Sequence, residues 1–234
     1  MAYTFLSLVN DVNDEFNEIR LTEDNFNDVD GYYAHTKRAV NAALKRINQT
    51  SFEWPFNHVT REDPLVAGQT RYSYPTDAKS VNFDSFRVKD RDKLYRLTMG
   101  DYEEYLDRYV DADENGLNHI GTPSRVYRSP DLGFVLYPAP RVDMSIIYEY
   151  YTLPVDLVNP NDLPFVPEQF RHIIISGAVA YVYKFRGDIE GHLSQLNEFK
   201  QQIKEMRTLY QNRYEEVRSS YIPRQRGLGV RVAR

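Results

Sequence analysis

Ile173-Ile174-Ile175-Ser176-Gly177-Ala178-Val179-Ala180-Tyr181-Val182-Tyr183 is the longest apolar run in the chain. Read within the segment Arg171 to Lys184, it predicts a helix that is apolar nearly all round. Such a helix belongs in the middle of a bundle. Ser176 and Gly177 interrupt the run, and it falls far short of the ~20 residues that span a bilayer. Gly177-Ala178 leaves room for a neighbouring helix to come close. Gly187 ends the segment.

The neighbours of a central helix must lie elsewhere in the sequence. Downstream, Ile189, Leu196, Ile203, Tyr210 and Val217 recur at sevenfold spacing, with Leu193, Phe199, Met206 and Tyr214 beside them. That pattern predicts one long helix over 188–218, about 45 Å at 1.5 Å per residue. Upstream, Phe5, Leu8, Val9, Val12, Phe16 and Ile19 mark an apolar face over 3–20. Tyr33, Thr36, Val40, Leu44 and Ile47 mark a second over 31–48, with Asp30 as its expected N-cap.

Between these helical halves the texture changes. From 52 to 155, Pro and Gly punctuate short runs rich in Tyr, Phe, Val and Ile. Residues 71–74, 81–88, 94–99, 124–128, 133–137 and 144–152 read as strands, a spacing that suggests a β-sandwich or barrel. One helix interrupts them, with Tyr102, Tyr105, Leu106 and Tyr109 on one face and Asp101 as its cap. The expected fold is therefore α+β: a helical bundle formed by N- and C-terminal helices, with an inserted β-sandwich or barrel-like unit. The expected division is 1–50, first half of the helical domain; 51–155, inserted β domain; 156–218, second half with the long helix; and 219–234, an extended basic arm.

The arm holds Arg224, Arg226, Arg231 and Arg234 and no acid, with apolar anchors Tyr221, Ile222, Leu228, Val230 and Val232. Pro223, Gly227 and Gly229 oppose a helix. The chain as a whole carries 29 Lys and Arg against 34 Asp and Glu, net −5. The charge is uneven: residues 1–35 hold one base and eight acids, while residues 200–234 hold nine bases and three acids. A net acidic body argues against general nucleic-acid binding. The absence of cysteine excludes disulfides, thiolate metal sites and Cys nucleophiles. No secretion signal is recognisable, which suits synthesis in a cytoplasm.

Chemistry-bearing motifs are few. The P-loop, nucleophile-elbow and H-E-x-x-H patterns are absent. His35, His58, His119, His172 and His192 are scattered. Asp111-Ala112-Asp113-Glu114-Asn115-Gly116 copies the first six positions of a calcium loop, but Thr122 stands where the bidentate carboxylate belongs. Glu103, Glu104 and Asp107 read as a solvated helix face rather than a glycosidase pair. No catalytic residue, metal site or cofactor is expected. A glycan-binding or wall-degrading role is the alternative from another class; for a sugar platform, the discriminator is whether Tyr148, Tyr150 and Tyr151 point outward. Strand alternation puts Tyr148 and Tyr150 on one face and Tyr151 on the other.

One ordered series of short pieces spans residues 121–185: Gly121-Thr122-Pro123, Tyr127, Leu136-Tyr137-Pro138-Ala139-Pro140, Tyr148-Glu149-Tyr150-Tyr151, Leu153-Pro154, Leu163-Pro164, Val166-Pro167-Glu168-Gln169-Phe170 and Ile174-Ile175-Ser176-Gly177-Ala178. This order resembles the head-to-tail adaptor (connector) proteins of short-tailed, double-stranded-DNA bacteriophages. The resemblance implies a structural virion protein of the neck, with about twelve copies in a ring beneath the portal. The ring extends the DNA channel and offers a surface to the tail tube or nozzle. It also implies a portal-docking arm, here Tyr221, Ile222, Pro223, Arg224, Arg226, Leu228, Val230 and Arg231. The long helix, through Ile189, Leu196, Ile203, Tyr210 and Val217, would pack on neighbouring copies. The implied partners are the portal protein, the tail tube or nozzle and the chain itself; genome DNA passes through without specific binding, and no membrane is involved. Another neck or tail protein is the nearest alternative.

Overall fold

The computed structural model describes residues 3–51, 53–91, 93–114, 119–141 and 144–210. Its elements are helical at both ends and stranded between, an α+β arrangement.

Helix α1 (Phe5–Glu15) starts at a reciprocal cap, in which the Ser7 amide donates to Thr4 Oγ1 at 3.3 Å and the Thr4 amide to Ser7 Oγ at 3.1 Å. It is shorter than the periodicity suggests. Asn17 takes a left-handed φ of 53°, which turns the chain away. Asn10 then pins the turning chain, exchanging two hydrogen bonds with the Leu21 backbone at 2.7 and 2.9 Å. Helix α2 (Tyr32–Thr50) buries Thr36, Val40, Leu44 and Ile47 as expected. Its N-cap is Gly31, not Asp30. Gly31 sits at φ 67° and no side chain caps the helix.

The central helix is α5 (Arg171–Arg186), entered through a 3-10 turn over Glu168–Phe170 that follows Pro167. It touches α1, α2 and α6 (Ile189–Tyr210). Gly177 is why two of these come so close: a Cβ there would stand 2.7 Å from the Phe199 ring on α6 and 3.0 Å from Ala43 Cβ on α2. Gly187, at φ 82°, ends α5 in a left-handed cap, and α6 doubles back. The expected continuation of α6 over 211–218 lies outside the described residues. One core serves all four helices, including Phe5, Leu8, Val40, Leu44, Trp54, Ile174, Phe199 and Ile203.

A second, separate core belongs to the strands. One sheet orders β1 (His58–Pro64), β10 (Met144–Thr152), β3 (Ala78–Asp90) and β4 (Lys93–Arg96), antiparallel throughout. The other orders β2 (Arg71–Ser73), β8 (Gly133–Tyr137), β7 (Arg125–Ser129) and β5 (Thr98–Gly100), with β5 parallel to β7. Phe86, Val88, Ile146, Tyr148 and Tyr150 from the first sheet meet Val126, Phe134 and Leu136 from the second. A short parallel pair, β6 (Ile120–Gly121) with β9 (Ala139–Pro140), lies apart. The two sheets do not close into a barrel; the barrel alternative is set aside in favour of two faces sharing a core. Along β10 burial alternates, so Tyr148 and Tyr150 point inward and Tyr151 does not.

Helix α3 (Tyr102–Arg108) is capped by Asp101, whose carboxylate accepts from the Glu103 amide. Its tyrosines lie over Tyr127 and Tyr137 in a small third cluster. Leu106 departs from the expected face and is exposed. A further turn, α4 (Val110–Glu114), occupies the start of the calcium-like stretch.

Candidate functional site

The long helix divides its expected stripe between two environments. Ile203 is buried in the helical core, together with Phe199 and Met206. Leu196 and Tyr210 are partly buried against the same core. Ile189 is 71% exposed and its neighbour Leu193, one turn on, 54% exposed. The reason is which side of the first turns faces α5: Gly191 lies against Tyr183 and His192 Nδ1 is 2.7 Å from the Ala180 carbonyl, which leaves Ile189 and Leu193 outward. Phe185, near the end of α5, is half exposed and stacks on His35 of α2 at 3.6 Å between ring centroids. Within the stripe, then, Ile203 holds the chain together, while Ile189 faces outward at the α5–α6 corner. Val217 and the arm residues Tyr221, Ile222, Pro223, Arg224, Arg226, Leu228, Val230 and Arg231 lie outside the described residues.

Tyr210 fixes where that C-terminal stretch departs. Its ring packs against Trp54, Phe56 and Phe170 at centroid distances of 6.4, 5.9 and 5.5 Å, and its hydroxyl accepts from Gln169 Nε2 at 3.1 Å. Phe56 in turn meets Phe165 at 6.0 Å.

Phe165 lines a groove that the sequence reading missed. The segment from Thr152 to Phe165 walls an open apolar groove of about 370 Å³ through Leu153, Val155, Leu157 and Leu163. Val155 is 80% and Leu163 70% exposed, with Leu153 and Val158 also outward. An exposed apolar concentration of this kind marks an interaction surface. The segment is well anchored. Asp162 accepts hydrogen bonds from the Val158 and Asn159 amides, both at 2.7 Å, and these bonds hold its carboxyl below the usual range. The amides of Phe5 and Leu6 donate to the Asp162 and Pro160 carbonyls at 2.9 Å. Asn41 brackets Leu157 with two bonds, and Lys45 pairs with Asp156 at 2.8 Å. The available signal was leucine and valine in a Pro- and Asn-rich stretch lacking any strand or helix period.

The two cores are tied where the chain crosses between them. Lys79 Nζ, on β3, donates to the carbonyls of Asn48 and Ser51 at the end of α2. A cation suits that negative end of the helix dipole, although burial lowers the lysine's affinity for its proton. Asn48 Nδ2 reaches the Thr152 carbonyl at 3.3 Å, which joins the chain's outward and return crossings.

The carboxylates weighed for catalysis divide into paired and exposed ones. Glu104 pairs with Arg108 and Arg125, while Glu103 and Asp107 are exposed. Asp113 accepts from Thr70 Oγ1 at 2.6 Å and from the Tyr105 hydroxyl. Asp111 to Glu114 are helical, and side chains two apart on a helix face different ways. That disposes of the calcium-loop geometry over these four residues; Asn115 and Gly116 lie outside the described residues. Among the described residues no three His, Asp or Glu side chains group as metal ligands, and no helix is long and apolar enough to cross a membrane.

The family described as SU10 adaptor protein matches residues 3–225, nearly the whole chain. No curated protein matches it.

Proposed function

We propose that this chain, which belongs to the SU10 adaptor protein family of phage structural proteins, forms a ring beneath the portal and carries the tail. The single observation behind the reading is the length of the family match, because it takes in both helical halves, the strand unit between them and the first part of the basic arm. About twelve copies close the ring at the virion neck. The ring extends the channel through which the genome leaves, and it presents the strand unit to the tail tube or nozzle.

The residues divide the labour. The arm, through Tyr221, Ile222, Pro223, Arg224, Arg226, Leu228, Val230 and Arg231, docks on the portal. Side chains exposed on the long helix, Ile189 first among them, meet the next copy. Neither contact needs high affinity alone, since a closed ring multiplies weak sites by avidity. The acidic body leaves passing phosphates unheld, so DNA slides instead of binding. Inward-facing Tyr148 and Tyr150 weigh against a sugar platform.

The test is the mass of the free protein, of portal and of their mixture. A ring that appears with portal, and is lost when residues 220–234 are deleted, supports the reading. Full co-assembly after that deletion overturns the arm's role, and absence of any complex with portal overturns the adaptor position itself.

A further inference from the structure

We propose that, before assembly, the groove walled by Leu153, Val155, Leu157, Leu163 and Phe165 is occupied by this chain's own C-terminal stretch, Leu228 to Val232. The groove is then the parking site of the arm and becomes free only when the arm leaves. The inference goes beyond the adaptor reading and does not depend on which protein receives the arm.

Three observations on the groove and the chain agree. The first is position. The described chain ends at Tyr210, and Tyr210, Phe56 and Phe165 form a continuous line of ring contacts that ends in the groove wall. The stretch from Tyr210 to Leu228 reaches roughly 60 Å if extended throughout, and about 45 Å with the helix expected to 218, ample length to turn back to a site that close. The second is pattern. Leu228, Val230 and Val232 alternate with Gly229, Arg231 and Ala233. In an extended chain that places three apolar side chains on one side, the match for an open apolar groove.

The third is charge. The arm has four arginines and no acid from residue 219 onward. Asp156 and Asp162 border the groove, with Lys45 the cation paired to Asp156. Beyond them lies the N-terminal helix, bonded directly to residues 160 and 162, whose own Asp11 and Asp14 are already paired with Arg171 and Arg20. A basic strand with apolar teeth fits an apolar groove bordered by two carboxylates better than an acidic partner does. Burial of apolar side chains supplies the affinity, and intramolecular tethering raises the effective concentration.

The absence of cysteine makes the test clean. The full chain carrying Val155→Cys and Val230→Cys is oxidised as a monomer and run without reductant. The proposal predicts an intramolecular disulfide in most molecules, much reduced when Leu132→Cys, exposed on the strand unit, replaces the Val155 site. It also predicts that Val155→Asp with Leu163→Asp speeds trypsin cleavage at Arg226 and Arg231 several-fold in the full chain. Both are exposed positions, so the fold is retained. Disulfide linking two copies instead, equal yield from the Leu132 control, or an unchanged cleavage rate would each overturn the proposal. None of these results touches the mass test of the adaptor reading.

Discussion

The ring of Phe199 lies where a side chain at position 177 would go: a Cβ on Gly177 would approach two of its carbons to 2.7 Å. Ala43 closes the other side at 3.0 Å. The axis of α5 is thus as near to α2 and α6 as backbone allows. Gly177→Ala is expected to destabilise the protein by about 1–2 kcal/mol, an overpacking cost of roughly 1–3 kcal/mol partly offset by alanine's better helix propensity. Urea titration followed by far-ultraviolet circular dichroism reads it. A midpoint equal to or above the parent's contradicts the account.

Buried tyrosines make the fold sensitive to alkali. Burial raises the Tyr148 hydroxyl well above the ordinary tyrosine value, and Asp63, which accepts its hydrogen bond at 2.9 Å, raises it further. Tyr105, beside Asp113, behaves alike. Unfolded tyrosines ionise near pH ~10, while these stay protonated in the fold. Their contribution is intact below that value and is lost as pH climbs past it. Phenolate absorbance should therefore rise together with loss of the near-ultraviolet dichroism. Titration of every tyrosine with the dichroism unchanged would contradict this. Tyr148→Phe should cost about 1 kcal/mol for the lost bond.

Lys79→Met removes the donor shared by the Asn48 and Ser51 carbonyls. Leaving those acceptors unpaired costs about 1–3 kcal/mol, which for a chain of this size lowers Tm by roughly 2–12 °C. Lys79→Arg should recover part of the loss. Equal melting of the Met variant and the parent would show that the clamp carries no stability.

The α5–α6 corner separates folding from assembly. Ile189→Glu combined with Leu193→Glu changes exposed side chains only, so dichroism and melting should match the parent while ring formation with portal falls at least tenfold. Ile203→Glu, placed in the core, should fail to fold. Normal ring formation by the double variant would remove Ile189 from the packing surface.

Periodicity made the helical parts legible. The all-round apolar run at 173–183 marked the central helix, and the sevenfold series through Leu196 and Ile203 marked its partner, though not that Phe199, Ile203 and Met206 would form the inner face. Gly187 and Asp101 identified a helix end and a helix start for local reasons, a left-handed cap and a carboxylate over a free amide. Tertiary context set what was missed. Strand β1 reads His58-Val59-Thr60-Arg61-Glu62-Asp63-Pro64 because it is a charged, exposed sheet edge with little apolar alternation to see. Asp30 lost the cap because Gly31 turned with a positive φ. The groove escaped notice because Leu153, Val155, Val158 and Leu163 follow no period; their shared exposure comes from a loop pinned by Asp162, Asn41 and the start of α1.

The helical core draws one half of its residues from before position 55 and the other from after position 156. During synthesis this imposes an order. Helices α1 and α2 emerge first with their apolar faces uncovered, and more than a hundred residues must follow before α5 can cover them. At about 5–20 residues per second that interval is roughly 6 to 24 seconds. The strand unit is complete before it ends, so the part drawn as an insertion becomes the first able to finish folding. The two early helices wait, exposed to chaperones, until their partner arrives.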